Sequence, residues 1–336
     1  MSNSNRTIKI GTRGSPLAMA QTRTVCMKLA EAHPGLETEI VVIQTSGDWK
    51  PSDGEMRLSA ADGGKGLFAK EIEQALLEGR IDAAVHSMKD MDSTLPEGLV
   101  VEHMLEREDP RDALLFSHKI KELADYSQLK NEGLAVLPQA AVVGSASVRR
   151  GAFLLSARPD LKIVPFRGNV QTRINKLRGP ESGGVIDCTL LAMAGLNRLG
   201  LASEVDIILE PEEMLSAAAQ GAVGIEVRAS DNDILSIFSH ISDYNTVVCV
   251  KSEREVLRIL DGSCHTPIGV YGVLDDGELW LRVRVVSLDG AQRFDDEIRG
   301  AVQTVEEGQS LGRVLGERLK RRVPPEIFNQ EIVDDG

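Results

Sequence analysis

No apolar run in this 336-residue chain is long enough to cross a bilayer. A spanning helix needs about 20 such residues, and the longest stretch here, "CTLLAMAGL" from Cys188, falls well short. Cysteine is scarce as well. Cys26, Cys188, Cys249 and Cys264 lie far apart with no CxxC pair, which argues against a disulfide framework or a Cys-rich zinc site. The six histidines show no HExxH or other ligand spacing, so no metal site is expected. Positive charge is in deficit: the net charge is −13, which argues against a nucleic-acid surface. The N-terminus, "MSNSNRTIKIGTRG", has no apolar signal core, and the chain is expected to be cytoplasmic.

What remains is a soluble globular chain, 42% hydrophobic and 26% charged, long enough for two or three domains. The first two thirds alternate strand and helix patterns. "TIKIGTR" reads as a strand, followed by a helix from "SPLAMAQ" with Ser15 as N-cap and Pro16 at the first helical position. "ETEIVVIQTSG" and "RIDAAVHSM" are further strands, with a helix over "LFAKEIEQALLEG" between them. Residues 47–65 lack any apolar period and read as a long loop. The plan then restarts, with strand "AAVVGSAS" leading into helix "VRRGAFLLSARP". Such alternation predicts largely parallel sheets covered by helices. Two units of the form strand, Gly, Ser-capped helix would each aim a helix N-terminus at a shared cleft. The last hundred residues differ: a helix over "TVVCVKSEREVLRILDG", an antiparallel meander turning at Asp276-Gly277 and Asp289-Gly290, and a closing helix.

In so acidic a chain, clustered cations call for a local reason. Arg13, Lys89, Arg149, Arg150, Arg167 and Arg173 each fall near a strand end or in the following helix turn, where open α/β sheets bind ligands. Guanidinium groups pair with carboxylates and phosphates, so a polyanionic ligand is the obvious occupant. Asp90, in "HSMKDMD", is either a turn residue or a carboxylate kept ionised by its basic neighbours and able to stabilise a cation. "GGKG" at Gly63 fails the phosphate-loop spacing, since Gly66 follows Lys65. His86 and His265 read as structural. Cys264 sits in a Gly-rich loop, "LDGSCHTPIG". Its chemistry alone leaves three roles open: a structural thiol, a nucleophile or a covalent attachment point.

The motifs "IGTRGSPLA", "GGKGLFAKEIEQALLEGRIDAAVHSMKD", "EREDPRDAL", "VRRGA", "FRGNVQTR", "LAMAGLNRLG", "QGAVGIE" and "LDGSCHTPIGVY" occur in this order. With them the chain resembles the hydroxymethylbilane synthase (porphobilinogen deaminase) family over nearly its whole length. The resemblance implies a cytoplasmic transferase that joins four porphobilinogen molecules head to tail, with release of ammonia, on a covalently bound dipyrromethane primer. It implies Cys264 as the thioether anchor and Asp90 as the catalytic carboxylate. Cofactor contacts would fall to Lys89, Ser147, Arg149 and Arg150, and substrate contacts to Arg13, Ser15, Arg167, Arg173, Arg198 and Gln220. It also implies two periplasmic-binding-protein-like lobes with a cleft between them and a small C-terminal α+β domain. The first lobe would take residues 1–110 and 222–240, the second 111–221, and the anchoring domain 241–336. A monomer with no nucleic-acid or membrane partner is expected. Five positions depart from the family's usual pattern: Met91 and Asp92 after Asp90, Ala146 for a hydroxyl residue, Ala219 for glycine, and Cys188 for alanine. None touches Asp90, Cys264 or the main arginines, so activity should survive. Two other readings fit parts of the chain. A non-catalytic two-lobed binding protein would leave the third domain and Cys264 unexplained, and a Cys264–His265 hydrolase would leave the arginines so.

Overall fold

The computed structural model describes residues 7–45, 69–123, 132–179, 183–260 and 266–328. The 47–65 loop and Cys264 therefore lie outside the described residues. The chain begins with β1 (Ile8–Thr12), α1 (Pro16–Ala32), β2 (Thr38–Val42), α2 (Lys70–Leu77), β3 (Ala83–Ser87) and β4 (Leu99–Met104). It continues with β5 (Asp112–Phe116), α3 (His118–Leu123), β6 (Val142–Gly144), α4 (Val148–Ala157), β7 (Lys162–Val164), α5 (Val170–Arg178), β8 (Cys188–Ala192), α6 (Met193–Arg198) and β9 (Ile207–Leu209). After them come β10 (Val223–Arg228), α7 (Asn232–Ser239) and α8 (Tyr244–Ile259). The chain closes with β11 (Ile268–Asp275), β12 (Glu278–Val286), β13 (Arg293–Ala301), α9 (Val305–Lys320) and α10 (Pro325–Phe328).

Two five-stranded sheets share one plan, β2-β1-β3-β10-β4 and β7-β6-β8-β5-β9. In each, three strands run parallel and the fourth is antiparallel to both its neighbours. Four of the five strands in each sheet thus run the same way, as the strand-helix alternation implies, and one central strand is reversed. The physical reason is connectivity: β5 and β10 each enter their sheet directly after the chain crosses from the other lobe, at 105–111 and 210–222, and so arrive from the opposite direction. Each lobe keeps its own core. Ile8, Ile10, Val85, Ile225 and Phe238 fill the first, and Leu114, Phe116, Val143, Leu154 and Leu190 the second. The architecture is two α/β lobes followed by a smaller α+β unit.

Local chemistry explains the helix starts. Ser15 accepts a hydrogen bond from the Ala18 amide at 3.3 Å, with Pro16 opening α1. Ser147 caps α4 in the same way through the Arg150 amide at 3.4 Å. Such caps satisfy amides that otherwise have no partner in the helix. The C-terminal meander β11-β12-β13 is antiparallel. Its first turn has Asp276 and Gly277 both at positive φ, 46° and 76°, the geometry a two-residue hairpin needs. Against this sheet pack α8 and α9, sharing a core of Val256, Leu260, Val270, Leu281 and Leu315.

Candidate functional site

β3 ends at Ser87 and passes into a single 3-10 turn, Met88–Asp90. The turn is held from the second crossing, whose Ala222 carbonyl accepts from the Met88 amide at 3.1 Å. Met88 is buried and anchors the turn, while Asp90 is exposed. Arg13, Ser15, Gln21, Ser87 and Asp90 line one pocket at the C-terminal ends of β1 and β3. The α1 N-terminus opens on the same pocket, so a cation, a helix dipole and hydroxyl groups surround one carboxylate. Anions are stabilised in such a setting.

Lys89, half-buried, faces the other lobe. Burial pushes its ammonium pKa below the usual value, Asp90 opposes that shift, and Arg150 adds to it. The Met88–Asp90 turn of lobe 1 and the arginine pair of lobe 2 therefore feel each other's charge. Arg149 and Arg150 themselves are turned inward. Their guanidinium groups donate to the fully buried Asp112, from Arg149 Nη2 at 2.6 Å and Arg150 Nη2 at 2.7 Å. Each also reaches a backbone carbonyl, Leu215 for Arg149 and Leu190 for Arg150. Arg149 Nε is sealed from solvent without a hydrogen-bond partner among the described residues. Burial alone would raise the Asp112 pKa, but the two guanidinium groups hold it well below the usual carboxylate range.

Gln220 belongs to this network rather than to open solvent. Its Nε2 donates to Asp112 Oδ1 at 2.9 Å and to the Pro110 carbonyl at 2.6 Å. It thereby ties the two crossings together. Arg198, at the end of α6, donates to the Gly221 carbonyl at 2.6 Å. Gly221 has φ +90°, and a Cβ there would lie 2.2 Å from the Glu108 carbonyl oxygen, so only glycine fits where the crossings touch. Arg167 and Arg173 lie at the start of α5, where Arg173 Nε holds the Gly168 carbonyl at 2.9 Å. Neither is among the residues lining the Asp90 pocket.

A second network, which sequence reasoning missed, links the crossings to the third domain. Glu253 on α8 is fully buried. It accepts from Arg107 at 2.6 and 3.1 Å, from the Ala219 amide at 2.6 Å and from the Gly272 amide at 2.8 Å. Burial works against the Arg107 charge, and Glu253 more than offsets it, so the Arg107 pKa is raised. Arg107 and Asp112 both fall within "EREDPRDAL", which was the available sequence signal. Ala219 sits at φ 61°, the left-handed conformation that glycine adopts freely and alanine only with strain. His86 Nε2 pairs with the Glu226 carboxylate, which accepts across 3.0 Å inside lobe 1, in keeping with a structural reading.

Of the three described thiols, Cys188 and Cys249 are buried. Burial pushes both up, Cys249 to about 12, so neither forms a thiolate near neutral pH. Cys26 is half-buried on α1 and packs against the lobe 1 core. Among the described residues, no group of His, Cys, Asp or Glu could hold a metal ion.

Residues 8–236 match the family described as "Porphobilinogen deaminase, dipyromethane cofactor binding domain", and residues 247–321 match "Porphobilinogen deaminase, C-terminal domain". The chain is 45% identical over 325 residues to the porphobilinogen deaminase of Paracoccus denitrificans, covering 96% of both chains. It is 43% identical over 330 residues to the chloroplastic porphobilinogen deaminase of Oryza sativa, covering 96% of this chain and 86% of that one. To the porphobilinogen deaminase of Alkaliphilus metalliredigens it is 41% identical over 330 residues, covering 98% and 97%. Among solved structures, a nutrient binding protein from Burkholderia cenocepacia bound to methionine is 16% identical. It covers 70% of this chain and 90% of that one, with a TM-score of 0.39.

Proposed function

The chain belongs to the porphobilinogen deaminase family, and from that premise we propose which of its residues carry the reaction. The reaction itself is that of hydroxymethylbilane synthase, a transferase of tetrapyrrole biosynthesis. Four porphobilinogen molecules are condensed head to tail, each losing ammonia, with a dipyrromethane cofactor as primer.

The donor set suits such a group. Each pyrrole unit carries two carboxylates and a ring N–H, and the cleft offers cations, a helix N-terminus and one exposed carboxylate. When bound, the primer supplies the ring carbon to which the first substrate unit is joined. Cys264 holds it by a thioether. The high pKa values of Cys188 and Cys249 support that choice, and a thioether, unlike a thioester or disulfide, withstands water and mild reductants. Arg13 and Ser15 bind substrate carboxylates, as do Arg167 and Arg173. Lys89, Ser147, Arg149 and Arg150 serve the cofactor side, and Gln220 and Arg198 act from the second crossing.

Asp90 is the catalytic carboxylate. As ammonia leaves the aminomethyl carbon of porphobilinogen with the bonding electron pair, positive charge develops on the pyrrole. A fixed carboxylate accepting from the ring N–H stabilises that charge, and one such contact contributes about 3–4 kcal/mol. The observation that carries this reading is the pocket in which Asp90, Arg13, Ser15 and Ser87 converge. Asp90→Asn tests it: the protein should keep its dipyrromethane by intact mass and lose nearly all porphobilinogen consumption. Turnover at the wild-type rate would remove Asp90 from the role.

The same reading takes residues 1–110 with 222–240 as the first lobe, 111–221 as the second and 241–336 as the anchoring domain. Cytoplasmic action as a monomer completes the proposal. The large apolar side chains left exposed, Met27, Val42, Leu77, Val185, Tyr244 and Val314, come from separate elements and loops. No helix among the described residues is long and apolar enough to cross a membrane.

A further inference from the structure

Asp90 is exposed and sits on a single 3-10 turn, whose start is fixed by the buried Met88 and the Ala222 carbonyl. Its backbone is gripped from outside lobe 1. Arg254 on α8 donates from Nη1 to the carbonyls of Met88, at 3.4 Å, and Met91, at 3.1 Å, and from Nη2 to the carbonyl of Asp92. These three acceptors bracket Asp90 on both sides. The planar guanidinium, with donors in a fixed fork, suits the task of setting three carbonyls relative to one another. The side chain is largely withdrawn from water, and burial disfavours its charge; the charges of Asp92 and Glu226 work the other way.

The structure assigns Arg254 to the positioning of Asp90, on the reading that Asp90 is the catalytic carboxylate. The helix that bears Arg254 runs to Ile259 and ends five residues before Cys264. One helix thus ends shortly before Cys264 in the sequence and also holds the turn that carries the catalytic group. The neighbouring Glu253 fastens the same helix to both crossings. The third domain is therefore more than a mount for the primer: it fixes the register between the anchored end of the growing chain and the carboxylate that acts on the other end. The arrangement also accommodates Asp92, one of this chain's departures, because its charge faces Arg254.

Two variants test the assignment. Arg254→Met keeps an apolar stem and removes every donor; Arg254→Lys keeps the charge and a single ammonium. Intact mass first establishes that dipyrromethane is in place. Misplacing a reacting group by about 1 Å costs on the order of 100-fold in rate. R254M is therefore expected to lose roughly 10- to 100-fold in kcat while its KM for porphobilinogen stays close to wild type, and R254K should recover part of the loss. Wild-type kcat in R254M, whatever its melting temperature, overturns the role. So does an equal fall in kcat/KM that arises wholly from KM. Should R254M not fold, R254K carries the test with the same two outcomes. Should D90N retain dipyrromethane while both Arg254 variants lack it, Arg254 acts in primer assembly rather than through Asp90, and the role is overturned. D90N measured alongside separates the two ideas. An active D90N defeats the reading of Asp90 itself, whereas an inactive D90N beside a fully active R254M defeats only the positioning role.

Discussion

Asp112→Asn should weaken the fold while leaving lobe 2's arginines readier for a ligand. Asp112 is fully buried and accepts from Arg149 Nη2, from Arg150 Nη2 and Nε, and from Gln220 Nε2, at 2.6 to 3.2 Å. Asparagine keeps the shape but removes the charge and turns an amide NH₂ toward donors. Two guanidinium groups would then be buried without their anion, and breaking such a pair costs about 3–5 kcal/mol. At roughly 2–4 °C per kcal/mol, melting should fall by roughly 6–20 °C. The sign with pH is set by the depressed Asp112 pKa. Its contribution is fully present above the unfolded value of about 3.9 and is lost only as pH falls through the folded value, so the deficit of D112N should be complete at pH 7. A carboxylate ligand offers the arginines a replacement anion, so porphobilinogen should raise the melting temperature of D112N more than that of the wild type. Differential scanning calorimetry with and without substrate reads both effects. Equal melting of the two proteins would refute the claim that Asp112 holds the pair.

Ala140 and Ala219 both lie in the left-handed region, at φ 56° and 61°. Ala140 is exposed, so A140G should stabilise by about 0.5–1 kcal/mol, the strain relieved exceeding the entropy lost; A219G should gain less, since the methyl it removes is buried, and denaturant unfolding would rank the two. Burial, reinforced by Glu226, raises the Glu73 pKa to about 7. The unfolded chain therefore ionises this group first, and stability falls as pH rises from 4.5 toward 7, as linkage requires. E73Q should accordingly gain melting temperature over the wild type above neutral pH and match it near pH 4, and a constant difference across that range would sink the argument. Cys264→Ala should fold yet carry no dipyrromethane and turn over no porphobilinogen. If the wild-type mass increment maps instead to Cys26, Cys188 or Cys249, the anchor lies elsewhere.

Features governed by neighbouring residues were legible from the sequence. Ser15 and Ser147 could be named as caps because a cap acts within one helical turn, and the Asp276-Gly277 turn because few residues accept positive φ. Strand direction was not legible: apolar alternation is the same for a strand run either way, so the antiparallel entry of β5 and β10 was hidden. The arginine pair shows the same limit at the site. Their spacing after a strand pointed to an anion, but the anion that meets them in this structure is Asp112, 37 and 38 positions away. Arg254 gave no local cue at all, because its acceptors are backbone carbonyls more than 160 positions distant.

The place of β10 also bears on how the protein is made. It lies between β3 and β4 in the middle of the first sheet, yet it is translated only after all of the second lobe. Lobe 2, an uninterrupted stretch of chain, has every strand of its sheet available before lobe 1 does. Domains commonly complete their folding in the order in which they leave the ribosome; here that order is reversed. Until residues 223–228 emerge, β3 and β4 have no strand between them, and Val85 and Ile8 lack the Ile225 and Val227 that close their core. The interval spent making lobe 2 is thus the time during which the half that carries Asp90 is open to mispairing.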